Sequence, residues 1–363
     1  MHDHVPAHRR TTVRPSTGQG TAKGKFRMSI AVSSEIRSLE KRMLSANSQV
    51  FLHQLGTTLA AAYGGLSNPR CRQAISTLAA NIEGELREKI CPPATDGGVC
   101  VVRGLLIDEQ SVGRTPPIWA AIDDTASLPL DLQMLLLASM IGEPFGWRGQ
   151  QEGRLVNNVM PARGYESVQT GASSSILLSP HTEDSFHPHR SHVFLLGCVR
   201  NPDGVATTIA SVRDVNLSAA DREILLRPTI PILPDLTYGD VEKWGAADPI
   251  PTLWERSDGL CLRYDPDYTP WADADPDYRA AYLRLGSELE RVTRRVVLEP
   301  GDLAIIDNDV VVHGRVPFTA RFDGTDRWLK RVNVAMPDRP RPMAELTENG
   351  YGQQVDYLSL ESK

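Results

Sequence analysis

From about Gly146 to Ala335 the chain is a succession of short apolar runs broken by turn residues, and this rhythm restricts the fold more than any other feature. Strands are predicted over 154–159, 174–178, 193–199, 206–212, 229–233, 260–264, 303–306, 310–313 and 327–335. Turns fall at Asn201-Pro-Asp-Gly204, Ser257-Asp-Gly259 and Pro300-Gly301-Asp302, where glycine, proline and aspartate supply the special backbone angles. Many short strands with regular turns point to a sandwich or barrel of the jelly-roll kind. Helical insertions are predicted near 219–226 and 274–295. Ahead of this region, 33–62 and 69–90 have helical spacing, the second with Ile75, Leu78, Ala79 and Ile82 on one stripe. A buried strand is predicted over 99–107, then a helix over 130–140 that stops near Gly142. The predicted fold class is mainly β with helices: a double-stranded β-helix (jelly-roll) core with a helical N-terminal layer.

Residues 1–27 are rich in histidine, arginine, glycine and threonine and nearly free of apolar side chains, so a disordered tail is expected there. Residues 28–363 are expected to form one domain, with a lid near 213–260 whose mobility follows from the proline, glycine and aspartate between 235 and 248. Arg9-Arg10 is followed by no apolar segment, which argues against an export signal, and the lack of any long apolar run excludes a membrane-spanning helix. A net charge of -6, with no basic face beyond the tail, argues against nucleic-acid binding. Five cysteines without a CxxC pair fit a reducing, cytoplasmic setting. Oligomeric state is not readable from these features.

Within this β-rich frame, His181-Thr182-Glu183 places an imidazole and a carboxylate two residues apart, on the same side of an extended segment. Such a doublet arises by chance in a chain of this composition. With His313, delivered by a second predicted strand, it makes the two-histidine, one-carboxylate set that leaves positions open at ferrous iron. Downstream, Arg327 and Arg331 lie four apart on a predicted strand, where both guanidinium groups can face one cavity and grip carboxylates. Taken alone, they are equally readable as surface residues pairing with Asp323 and Asp326. A zinc hydrolase could use the same metal ligands with an activated water, and a sugar- or peptide-binding sandwich would need no metal at all. His187, His189 and His192 lack zinc-site spacing and are expected in solvated-loop or metal-supporting roles.

The segments His181-Thr-Glu183-Asp-Ser-Phe-His-Pro, Arg200-Asn-Pro-Asp-Gly-Val-Ala-Thr-Thr, His313-Gly-Arg and Asp323-Gly-Thr-Asp-Arg-Trp-Leu-Lys-Arg331, together with Ile141-Gly-Glu-Pro-Phe-Gly-Trp147, resemble the clavaminate-synthase-like oxygenases. The likeness spans about 130–337 and is nearest to the branch hydroxylating free amino acids, arginine among them. It implies Fe(II) held by His181, Glu183 and His313, with 2-oxoglutarate and O2 as cosubstrates. It further implies that Arg327 grips the distal carboxylate of 2-oxoglutarate with help from Thr207, or from Thr208 in the alternative register, and that Arg331 binds the substrate carboxylate. Gln150 (or Gln151) would contact the amino-acid head, and Glu183, besides holding iron, would also be a substrate contact. Asp235, Asp265 and Asp267 would face the guanidinium of a basic amino acid, most simply arginine. By itself, Asp265-Pro-Asp267 reads as a turn. The implied reaction oxidises 2-oxoglutarate to succinate and carbon dioxide while hydroxylating an unactivated side-chain carbon in specialised metabolite biosynthesis; desaturation, and lysine or an arginine analogue as substrate, stay open. The pocket contacts of Gly171-Ala-Ser-Ser-Ser175 are not assigned by the likeness.

Overall fold

The computed structural model describes residues 39–238 and 248–359. The expected 1–27 tail, the first residues of the helix predicted from 33, and part of the expected lid lie outside those residues. Strands in chain order are β1 (Glu40–Met43), β2 (Val99–Arg103), β3 (Glu143–Trp147), β4 (Asn157–Val159), β5 (Leu178–His181), β6 (Val193–Arg200), β7 (Thr207–Ser211), β8 (Leu253–Arg256), β9 (Gly259–Leu262), β10 (Arg294–Val296), β11 (Asp302–Asp307), β12 (Val311–Arg315), β13 (Trp328–Ala335) and β14 (Val355–Tyr357). Helices are α1 (Ala46–Tyr63), α2 (Pro69–Asn81), α3 (Glu85–Lys89), α4 (Glu109–Val112), α5 (Asp124–Ser139), α6 (Ala219–Leu225) and α7 (Pro276–Arg291).

The larger sheet has the order β1-β2-β11-β6-β13-β3-β14, with β4 also on β13; the smaller is β10-β7-β12-β5, and β8 and β9 form a separate hairpin. Side chains alternate across the larger sheet with the two-residue period of a strand. Phe194 and Leu196 of β6 and Ile306 of β11 pack with Ile209 and Val311 of the smaller sheet. Their neighbours Val193, Leu195, Leu303 and Ile305 face the other way, onto Leu52, Ile75, Leu132 and Leu136 of the N-terminal helices. Behind the smaller sheet, Ala210 and Val312 pack on Tyr278, Tyr282 and Leu285 of α7. The jelly roll is thus covered on both sides, and the inner space between its sheets is left for the site. Among the described residues, no helix is long and apolar enough to cross a membrane. All five cysteines are free.

Several predicted boundaries shift for local physical reasons. The helix expected over 33–62 begins only at Ala46, where Ser45 caps it by accepting from the Ser48 N–H; just ahead, β1 pairs in parallel with β2. The 69–90 helix is two helices, because Gly84 takes a left-handed conformation (φ 71°) at the start of α3. The strand expected at 174–178 starts at Leu178 instead, since the Ser173 and Ile176 carbonyls are taken by the Arg315 guanidinium and are lost to ladder pairing. Over 229–233 only a single bridge forms, Ile230 to Ile250. The end of the predicted 274–295 helix is strand β10, paired antiparallel to β7.

Candidate active site

Strands β5 and β12 pair antiparallel with His181 directly opposite His313, so the smaller sheet itself brings the two imidazoles together, ring centroids 4.4 Å apart. Glu183 follows two residues after His181, and one ligand atom from each of the three residues lies within 4.8 Å of the others. His181 Nδ1 is 2.8 Å from the Ser179 carbonyl, which assigns the proton to Nδ1 and leaves Nε2 for a metal. Burial and the neighbouring His313 lower the basicity of His181, favouring the neutral imidazole that metal binding requires. Burial opposes the charge of Glu183, yet Arg331 and His313, whose Nε2 is 3.3 Å from Oε2, hold its carboxyl below the usual range. Glycine is required at 314, since a Cβ there would sit 2.3 Å from the Leu178 carbonyl oxygen and part the two strands. Two nitrogens and one anionic oxygen, facing a cavity of about 580 Å³, fit ferrous iron with room for small-molecule ligands.

The larger sheet supplies the opposite wall. Arg327, Leu329 and Arg331 all line the cavity, whereas Lys330 points the other way and its Nζ is 2.6 Å from Asp131 of α5. The expected same-face placement of the two arginines therefore holds, despite a bulge between Trp328 and Leu329. Arg327 donates through Nη2 to Thr207 Oγ1 at 3.0 Å, and its Nε is buried without a partner. Thr207 lines the cavity, while the Thr208 hydroxyl lies beside Gly314, which decides between the two registers. Burial pulls the Arg327 guanidinium down to about 10. Arg331 instead donates to Glu183 Oε1, to Gln150 Oε1 at 2.7 Å and to Asn157 Oδ1 at 3.4 Å. Gln151 is occupied elsewhere, exchanging two 2.9 Å hydrogen bonds with the backbone of Asn158. Asp326 accepts from the Arg321 and Phe322 amides rather than from Arg327 or Arg331, so the surface-pair alternative does not hold.

Asp235, Asp265 and Asp267 line the same cavity. Burial pushes the Asp265 carboxyl up to about 7, with His181 opposing and Asp267 reinforcing the shift. Asp235 is raised as well, chiefly by burial and against hydrogen bonds from Thr237. The turn reading of Asp265-Pro-Asp267 is also right, since Asp265 Oδ1 accepts from the Asp267 and Tyr268 amides.

Other residues at the site were given no role, or a different one, by the sequence. Arg315 lines the cavity but spends its donors on Ser173, Ile176 and Val316, so Gly171-Ala-Ser-Ser-Ser175 is fixed against β12 by a guanidinium. Asp184 accepts from Trp147 Nε1 and from the Tyr238 hydroxyl, each at 2.6 Å. His187 and His192 are not solvated: burial drives both down to about 3, and each takes part in holding the C-terminal segment, through Gln353 and Met336 respectively.

The family described as taurine catabolism dioxygenase TauD, TfdA family matches residues 98–333. The chain belongs to the TauD, TfdA family. It is 37% identical to the enduracididine beta-hydroxylase of Streptomyces hygroscopicus over 278 residues, covering 69% of this chain and 80% of the relative. It is 34% identical to the L-ornithine/L-arginine 3-hydroxylase of Catenulispora acidiphila over 261 residues, covering 65% and 76%. Among solved structures, the non-heme iron oxygenase OrfP in complex with Fe, succinate and (3S)-hydroxy-L-Arg superposes with a TM-score of 0.72 at 35% identity, over 81% of this chain and 94% of that one. OrfP with Fe and alpha-ketoglutaric acid gives 0.72 at 36%, with the same coverage. Membership of this TauD, TfdA family sets aside the zinc-hydrolase and non-catalytic readings.

Proposed function

We propose that the protein is an Fe(II)- and 2-oxoglutarate-dependent hydroxylase of a free basic amino acid, with L-arginine as substrate, acting in specialised metabolism. The observation that carries this reading is one cavity lined by the His181, Glu183 and His313 donors, by Arg327 and Arg331, and by Asp235, Asp265 and Asp267. Iron, when bound with 2-oxoglutarate and O2, supplies the oxidising chemistry; the chain supplies placement and exclusion of competing reactions. Arg327 and Thr207 hold the distal carboxylate of 2-oxoglutarate. Arg331 and Gln150 take the amino-acid head, and the aspartates take the guanidinium by charge-assisted hydrogen bonds. The relatives named for arginine and ornithine support the same substrate class. The test is an aerobic assay with ferrous iron, 2-oxoglutarate and each proteinogenic amino acid, read by mass spectrometry. Arginine should gain one oxygen with stoichiometric succinate; loss of two hydrogens would mark desaturation, and no succinate with any free amino acid would sink the reading.

Arginine affinity should depend on pH through Asp265. The guanidinium is cationic at all accessible pH and binds the ionised carboxylate. With the free carboxyl raised to about 7, that form is fully populated only above 7. Affinity should therefore rise with pH by up to roughly tenfold per unit below the pKa and level off above it, with proton release on binding at the acidic end. Calorimetry in buffers of different ionisation enthalpy reads both effects, and Asp265→Asn should flatten the profile, with the largest loss of binding above pH 7 and a shrinking one towards acid pH. A wild-type profile equally flat would remove Asp265 from the guanidinium site.

A further inference from the structure

We infer that Asn308 is a positioning residue for the metal site, fixing the Glu183 arm by bracketing its backbone. Glu183 lies beyond the end of β5, so no ladder pairing holds its peptide groups. A single buried carboxamide does so instead. Asn308 Oδ1 accepts the Glu183 N–H at 2.7 Å, and Nδ2 donates to the Glu183 carbonyl at 3.0 Å. The same Nδ2 reaches the Ser191 carbonyl at 3.0 Å and its hydroxyl at 3.4 Å, while the Asn308 backbone N–H donates to the His192 carbonyl at 2.9 Å. One side chain thus takes the place of a neighbouring strand for the ligand residue.

The location of the bracket matters as much as its bonds. Asn308 sits in the turn between β11 and β12, and β12 carries His313. The turn that leads into one histidine ligand therefore holds the backbone of the carboxylate ligand, so the two arms of the site are set by one element. The residue after Glu183, Asp184, has a left-handed backbone (φ 51°), a conformation that costs free energy unless its surroundings impose it. Removing the carboxamide would leave the buried Glu183 N–H and carbonyl without their partner, the Ser191 carbonyl keeping Arg341 Nη2 at 2.9 Å, and would let this turn relax. Asparagine suits the position because it presents an acceptor and a two-proton donor side by side; aspartate lacks the donor and serine the reach.

The test uses the full chain and cobalt(II) as probe, read by calorimetry in the absence of substrate. Asn308→Ser should weaken cobalt binding by roughly 10- to 100-fold, as loss of a residue supporting a metal ligand does, with cooperative unfolding retained in chelator. The decisive comparison is on a Glu183→Ala background. If Asn308 acts through Glu183, adding Asn308→Ser there should change affinity by less than about twofold. Unchanged affinity in the single variant, or the same loss on both backgrounds, would overturn the inference and leave Asn308 a general packing residue. Should the serine variant not fold, amide hydrogen exchange of the metal-free wild type decides: a protected Glu183 amide supports a bracket formed before metal arrives, and exchange at the rate of an open loop refutes it. A wild-type chain that takes up no cobalt would overturn the metal reading and this inference with it. Cobalt uptake without arginine turnover would count only against the proposed substrate.

Discussion

His313→Ala is expected to abolish iron retention and to lower succinate formation, with or without arginine, by at least about 10³-fold, equivalent to a barrier rise of about 4 kcal/mol. The geometry allows no substitute ligand. His313 is opposite His181 in the ladder, and among the described residues these two and Glu183 form the one cluster of such donors. In the variant, Glu183 keeps Arg331 as its partner and turns from ligand to ion-pair member. The fold should survive, because β12 is held by its backbone pairing to β5 and β7 and by Val311 and Val312 on its two faces. The check is metal content after dialysis together with thermal unfolding in chelator, where the variant should still unfold cooperatively, less stable only by the lost packing of the ring on Phe194. Iron-dependent succinate production persisting in the variant would remove His313 from the site. Arg331→Met gives a useful contrast, since it should weaken the amino acid more than 2-oxoglutarate while also taking from Glu183 the cation that helps hold its carboxyl low.

The jelly roll was legible because its strands carry the period-two pattern plainly: Val193 to Cys198 alternate between two cores, and so do Leu303 to Ile306. What the pattern hid was decided by contacts distant in sequence. The 174–178 run has strand composition, yet the Arg315 guanidinium takes the Ile176 carbonyl and the Glu166 carbonyl takes the Ser174 and Ser175 amides. Residues 294–296 continue the α7 sequence smoothly, and only the free edge of β7 makes them a strand. Strand β3, containing a proline and a glycine, has no strand signature and forms because β13 offers it an edge.

At the site, residues with their own chemistry could be found from the sequence: a histidine, a carboxylate and an arginine each announce a donor or a charge. The i, i+2 and i, i+4 spacings then gave a common face, which holds even through the bulge in β13. Residues acting through the backbone could not be found that way. Asn308 and Arg315 make most of their hydrogen bonds to peptide groups, and such bonds depend on where two remote segments meet. The histidines 187 and 192 fall in the same class: composition places them in a loop, whereas the C-terminal segment covers them.

Arg327→Met is expected to raise KM for 2-oxoglutarate by roughly 30- to 4,000-fold, the range for removing one partner of a buried charge pair of about 2–5 kcal/mol. The assignment follows from how the three cavity arginines spend their donors. Arg331 is paired with Glu183, and Arg315 is consumed by carbonyl and hydroxyl oxygens. Arg327 shares a buried, unpartnered Nε with Arg331, but its one hydrogen-bond partner is a threonine hydroxyl and no carboxylate among the described residues faces it, while burial brings its guanidinium down to about 10. A desolvated cation in that state is completed by an anionic ligand, and the distal carboxylate of 2-oxoglutarate matches its fork. Two opposite effects should separate this role from a structural one. Without ligand, the methionine variant should be as stable as wild type or more so, because an unpaired buried charge has been removed. With 2-oxoglutarate at roughly 100 times its wild-type Kd, wild type should gain about 2.7 kcal/mol of stability and the variant almost none. Arg327→Lys should fall between, keeping the charge but losing the two-pronged geometry. Equal rises in KM for 2-oxoglutarate and for arginine, or full thermal stabilisation of the methionine variant by 2-oxoglutarate, would show that Arg327 does not hold the cosubstrate.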